Sequence, residues 1–353
     1  MSEEGTAAAE VLTLAEEDRW RELLPARADV FGSVEFARIQ HRHSGGEPRL
    51  FAFPAPGGAI VHPLVLRPVA ELPFAGGVAS SLHDATTPPY AGPLHTGALD
   101  AGARSAFVDA FARWCGHTGV VTEFGHLHPW HARTEVLDPA AVEIDREIVY
   151  VDLTLDPDRL WQESFTHACR KNINRARREG VRVFEATNEA HAAELHRIYE
   201  QTMERRGALD AYRVAPDYFP SFLEQMPDNA RLVLAEHEGR VVAATLYLHD
   251  DDDAYSYLGG ADHEHQRLRP TNAVVYDMVL WARKRGIKRL ILGGGYGPDD
   301  GILRFKSSFS PLRREFQVYR RVHLPDRYAE LVERWRERYP GAEPGGYFPP
   351  YRT

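Results

Sequence analysis

What most constrains this chain is the order in which its hydrophobic period changes across residues 146–324. REIVYVDLTL (146–155) alternates like a strand, and Asp156 and Pro157 open a helix-period stretch over residues 158–180, with Gly180 as its cap. VRVFEAT (181–187) is a strand, residues 189–207 form a second helix ended by Gly207, and residues 215–226 form a third. Three strands then follow, 231–239, 240–250 and 253–262, the first two joined by a hairpin turn at Glu238 and Gly239. The helix 271–286, the strand 288–294 and a last strand 314–324 complete the set. Hairpin-linked strands inserted among helices give an α+β class.

The first half also mixes its elements. Helices are expected at 16–24, 33–43 and 100–117, a strand pair turns at FPAPGG within residues 50–69, and VVTEFGHLH (120–128) is a strand. A chain of 353 residues holds about two domains at ~150 residues each. The charge divides unevenly: residues 1–150 hold 11 Lys/Arg against 20 Asp/Glu, and the remainder holds 31 of each. The second half also clusters its basic residues, which suits local phosphate contacts, although charges at the ends of surface helices are mostly solvated. Two cysteines, an acidic start and the lack of any ~20-residue apolar run lead to the expectation of a reduced, cytoplasmic protein. The amphipathic helix 325–340 is expected to fold back on the first domain, and the Pro/Gly-rich tail after it to be poorly ordered.

Three segments carry chemistry. WxxxFxxxxRKNINRARREGV covers 161–181, LGGGYGPDDGILRFKSSFS covers 292–310, and DATTPPYAGPL covers 84–94. Together they resemble the Fem family of aminoacyl-tRNA-dependent peptidyltransferases and its FemAB-like relatives in the GNAT superfamily. The resemblance implies tandem GNAT-like acyltransferase domains with mixed, splayed sheets, at 1–148 and 149–324, with 325–353 as a terminal helix and tail. Two departures stand out. The loop that reads YGYGG in the family is shortened here to YAG, and Gly180 leads directly into a strand, which leaves no room for the helical hairpin some cell-wall members carry. Compact members without that hairpin include enzymes that aminoacylate small molecules in antibiotic pathways, as well as cell-wall enzymes.

The resemblance implies a catalytic role for Lys306 together with Phe305. Attack of an amine on an ester develops negative charge on oxygen, which a fixed ammonium stabilises; Phe305 and Phe309, four apart, would anchor the turn. The alternative is a surface lysine between two aromatics. Acceptor contacts are implied for Asp84 and Tyr90 in the loop, for Tyr255 and Tyr257, and for Arg206 and Arg213, near which family members place a phosphate-binding arginine. Strand alternation puts Tyr255 and Tyr257 on one face, where core packing is an equal reading. Arg170, Lys171, Arg175 and Arg178 make a helical ridge suited to tRNA phosphates.

Other chemistries are disfavoured. His126, His128 and His131 lack a carboxylate or cysteine at metal-site spacing, and the resemblance, through a related HP at the end of this strand, implies a structural or substrate-contact role for His128. LGGGYG is not followed by GK[ST], and Cys169 lies inside a helix without a base. The expected donor is aminoacyl-tRNA, a co-substrate, with no cofactor or metal, and the acceptor a small-molecule or peptide amine. The alternative is a GNAT N-acyltransferase using acyl-CoA. Its pyrophosphate loop would be QRLRPTN (266–272), where Arg269 replaces a glycine and Pro270 removes an N–H.

Overall fold

The computed structural model describes residues 8–24, 30–77, 81–132, 134–206, 213–295, 300–343 and 347–352, the side chain of Arg206 excepted. The chain divides into two compact units, Met1–Asp145 with Phe316–Thr353, and Arg146–Glu315. In chain order the strands are β1 (Glu10–Leu12), β2 (Glu47–Ala55), β3 (Gly58–Pro68), β4 (His83–Thr86), β5 (Leu94–His95), β6 (Val120–His126), β7 (Val142–Asp152), β8 (Arg182–Glu185), β9 (Ala230–His237), β10 (Arg240–His249), β11 (Asp253–Ala261), β12 (Arg289–Gly293) and β13 (Arg313–Val322). Within each unit the strands pair in both parallel and antiparallel fashion, as a mixed sheet requires.

In the first unit the order is β1-β2-β3-β4-β6-β13, with β5 on β3; β4 and β6 run parallel and the other neighbours antiparallel. The two-residue period of β2 and β3 supplies a core on each face. Phe51 and Ile60 pack with Phe107, Phe111 and Cys115 of the helix Ala101–Thr118, while Leu50, Ala52 and Val61 pack with Trp20 and Val34 of the helices Glu17–Leu23 and Val34–Ser44. The helix Pro325–Arg338 buries Leu331 and Trp335 against Val69, Leu82 and Val121.

The sequence boundary at 324 is corrected here. Val318–Val322 pairs antiparallel with residues 122–126 of β6, so the last strand belongs to the first unit from Phe316 onward. The tail is corrected too: Tyr351 is 1% exposed, and Arg352 forms an ion pair with Asp84 at 2.7 Å.

The second unit has the order β7-β12-β11-β10-β9-β8, antiparallel except for β12 and β11. Glu238 and Gly239 take φ 52° and 78°, the left-handed pair that a two-residue hairpin turn needs. Helices His167–Arg178 and Pro270–Lys284 bury Cys169, Ile173, Val274, Met278 and Val279 against Val149, Val151, Val233 and Leu290. The helix expected to run unbroken over 158–180 is interrupted. A π-helical turn, Leu160–Ser164, ends at an extended Phe165, and Thr166 caps a new helix by accepting from Cys169 N at 3.2 Å.

Candidate active site

β11 and β12 pair only at Asp253↔Arg289, Ala254↔Leu290 and Tyr255↔Ile291. β11 then runs on to Ala261 without β12, so the parallel ladder opens after Tyr255. On its other side β11 slips against β10: Leu246 faces Leu258 and Tyr247 faces Ser256, which leaves Tyr257 as the extra residue of a β-bulge. The register shift thus falls at the second of the two tyrosines. Tyr255 is buried, at 1% exposure. Tyr257 is half-buried, its hydroxyl 3.1 Å from that of Tyr218 and its ring 6.2 Å from Phe222, both on the helix Tyr218–Gln225.

Lys306 lies on the short helix Gly301–Ser307, which Asp300 caps by accepting from Ile302 N at 2.8 Å. Seven residues form a weak helix alone, so its position depends on contacts. Phe309 is fully buried, with Phe305 at 5.4 Å and Phe165 at 5.6 Å between ring centroids. Thr166 N donates to Ser308 O at 2.9 Å, which ties the interrupted helix to the same turn. From this anchorage the half-buried Lys306 donates through Nζ to Gly294 O at 2.7 Å, just past the end of β12. Arg146, at the head of the second unit, donates through Nη1 to Gly295 O at 3.1 Å. Nothing in the sequence marked Arg146 beyond its place in a strand. Tyr296, Gly297, Pro298 and Asp299 of the glycine signature lie outside the described residues.

The basic ridge separates into two kinds of residue. Arg170 turns inward: its Nη1 donates to Trp161 O at 3.0 Å and Gln162 O at 3.1 Å, and also to Phe165 O, satisfying carbonyls at the end of the π-helical turn. A tRNA role for Arg170 is replaced by this structural one. Arg175 is 3.6 Å from Glu179, while Lys171 and Arg178 are exposed with no ion pair among the described residues. Arg213 is exposed and 3.9 Å from Glu200; the side chain of Arg206 lies outside the described residues.

In the first unit Asp84 is 2% exposed and accepts from Thr122 Oγ1 at 2.6 Å, Tyr351 OH at 2.7 Å and Arg352 Nε at 2.7 Å. Its carboxylate anchors the chain terminus instead of facing an acceptor. Tyr90 stands 5.5 Å from the ring of Phe31 and 5.3 Å from that of Phe316. His128 Nδ1 accepts from Trp130 N at 3.1 Å and His131 N at 3.0 Å, a turn-capping role. Burial pushes the Cys169 thiol up to about 11, which suits an inert core residue. A second cluster escaped the sequence reading. Glu123, 1% exposed, accepts from His62 Nε2 at 2.8 Å, His323 Nε2 at 3.0 Å and the hydroxyl of Tyr319. Its only sequence signal is a glutamate inside an apolar strand.

Residues 164–307 match the acetyltransferase (GNAT) domain family. No curated protein matches the chain by sequence. Among solved structures, FemX is similar over 91% of this chain and 99% of its own, with a TM-score of 0.69 and 14% identity. The C-terminal domain of a putative lysylphosphatidylglycerol synthetase from Agrobacterium fabrum is similar over 91% and 98%, at 0.53 and 13%. A tandem GNAT protein from the clavulanic acid biosynthesis pathway is similar over 89% and 98%, at 0.51 and 11%. These likenesses establish a GNAT fold of the kind seen in FemX, and the domain match supports an acyltransferase. No helix among the described residues is long and apolar enough to cross a membrane.

Proposed function

We propose that the chain transfers an amino acid from aminoacyl-tRNA to the amine of a small molecule or cell-wall precursor. The observation that carries this reading is Lys306 Nζ held at Gly294 O, beside the strand at which the parallel ladder opens. The amine nitrogen attacks the ester carbonyl carbon, and the electron pair of that carbonyl moves to oxygen. An ammonium fixed beside this oxygen stabilises it more as charge develops than before attack. Collapse breaks the bond to the ribose oxygen; the nitrogen loses one proton and the ribose hydroxyl gains one. Exposed Lys171 and Arg178 suit the phosphates of a tRNA acceptor end, and Tyr257 with Tyr218 offers hydroxyls to the acceptor.

A second reading has one observation in its favour. Arg269 takes φ 61° and ψ 39°, a glycine-like conformation, at the head of the helix Pro270–Lys284, the setting in which an acyl-CoA enzyme receives pyrophosphate. Pro270 counts against it by withdrawing the first N–H of that helix. Total tRNA charged with one labelled amino acid at a time, and labelled acetyl-CoA in parallel, separates the two with a panel of amine acceptors. We expect label to move from the base-labile ester of tRNA into a base-stable amide. Transfer from acetyl-CoA alone would establish the second reading.

A further inference from the structure

Gly293, Gly294 and Gly295 supply the carbonyl that holds Lys306, yet glycine has the freest backbone of any residue and cannot by itself fix where a carbonyl points. The surroundings do so from two sides. A Cβ on Gly294 would stand 2.8 Å from Arg146 Cδ and 3.0 Å from Glu147 O, and one on Gly295 would stand 2.9 Å from both Asp300 Oδ2 and Leu303 Cβ. The glycine backbone is thus wedged between the β7 strand and the helix that carries Lys306. Successive carbonyls of this wedge go to successive cations, Gly294 O to Lys306 and Gly295 O to Arg146.

We propose that Arg146 is a positioning residue, which holds Gly295 O from β7 and so fixes the Gly294 carbonyl and the Lys306 ammonium hung from it. The inference rests on the reading of Lys306 as the group that stabilises the reacting oxygen. β7 is a suitable base for this task, since its neighbouring residues Val149, Tyr150, Val151 and Asp152 are paired with β12. Removing the guanidinium leaves Gly295 O unheld from that side, and a loosened turn displaces Nζ. Displacement of about 1 Å at a reacting centre lowers rates on the order of a hundredfold.

The chain has only four lysines, at 171, 284, 288 and 306, so lysine labelled with 13C and 15N gives a spectrum in which Lys306→Met assigns the Lys306 signals by their loss. In the unmodified protein the two protons on Lys306 Cε should be inequivalent and its ammonium protons slow to exchange. Arg146→Met should collapse that inequivalence toward the averaged pattern of the exposed Lys171, and Arg146→Lys should restore most of it. Thermal unfolding of each variant checks the fold, and Arg146→Gln is the alternative should Arg146→Met fail to fold. A Lys306 signal unmoved by Arg146→Met or Arg146→Gln would overturn the proposal. The spectrum needs no donor, so it stands or falls apart from the tRNA assignment. With charged total tRNA as donor, Arg146→Met should lower the single-turnover rate about tenfold or more at unchanged KM and add nothing in a Lys306→Met background. A loss that adds in full would also overturn the proposal, while a Lys306→Met enzyme of undiminished rate would overturn both it and the reading of Lys306.

Discussion

The Glu123 cluster of the first unit and the Lys306 turn of the second hold a charge in opposite ways. Glu123 lies deep in its sheet and accepts hydrogen bonds from three side chains, those of His62, Tyr319 and His323. Lys306 is half-buried, sits on a helix of two turns, and is held by the carbonyl of a glycine. A buried charge enclosed by side-chain partners from distant parts of the sequence fixes a fold. A half-exposed charge on a short element, aimed by backbone, is the arrangement proposed to meet a developing negative charge. The contrast separates a residue that carries stability from one proposed to carry chemistry.

The largest effect should come from the closed cluster. Glu123→Gln puts an amide where three donors converge, and loss of one partner from a buried ionic set costs about 3–5 kcal/mol. Denaturant unfolding should show it, and a loss under about 1 kcal/mol would break the contrast. Burial pushes the Glu123 carboxyl up, but hydrogen bonds from His323 and His62 more than offset this and hold it well below the usual carboxylate range. Its contribution is therefore present above the unfolded carboxylate value and lost only as pH falls toward the lower folded one. Between about pH 5 and 8 Glu123 should add no slope to the stability curve.

A smaller effect sharpens the comparison within the second unit. Burial, and then the charge of Arg285, pull His249 down to about 4. The unfolded imidazole titrates near 6.5, so between these values the unfolded state binds the extra proton. Stability from neutral His249 is complete above about 6.5 and falls with pH, by up to about 1.4 kcal/mol per unit, as pH drops toward 4. His249→Gln should flatten unfolding free energy across that window. An unchanged slope would assign the acid sensitivity elsewhere.

The smallest effects belong to the exposed ridge. Reversing Lys171 and Arg178 should leave unfolding unchanged within about 0.5 kcal/mol, yet weaken tRNA binding and flatten its salt dependence by somewhat under one log-log unit per contact. Wild-type affinity with a wild-type salt slope would make these residues solvated decoration.

Much of the second unit could be read from the sequence because its signals are local. Gly180 and Gly286 end helices with φ 77° and 80°, Glu238 and Gly239 turn a hairpin, and the FK turn shows as Phe305 and Phe309 four apart. What could not be read depends on distant partners. Nothing near Arg352 points to Asp84, so a Pro/Gly-rich tail looked unordered. The strand after Phe316 looked like the end of the second unit because its partner β6 lies far back in the chain. Arg170 looked like its ridge neighbours, since helical spacing does not reveal the π-helical turn whose carbonyls it meets. The bulge at Tyr257 is set by register against β10, which alternation alone cannot see. Lys306 was legible as a motif; its hold on Gly294 O, and that of Arg146 on Gly295 O, belong to tertiary structure.

The most direct test of the account is single-turnover transfer by Lys306→Met with saturating donor and acceptor, measured beside its unfolding free energy. Methionine keeps about the same aliphatic volume between Phe305 and the core but has no charge, so the fold should keep its stability to within about 1 kcal/mol. Loss of the cation should raise the activation barrier by about 3 kcal/mol, a hundredfold or more in rate, with binding of both substrates changed far less. A folded Lys306→Met protein that turns over at the wild-type rate would contradict the account and make this lysine, like Glu123, a part of the scaffold.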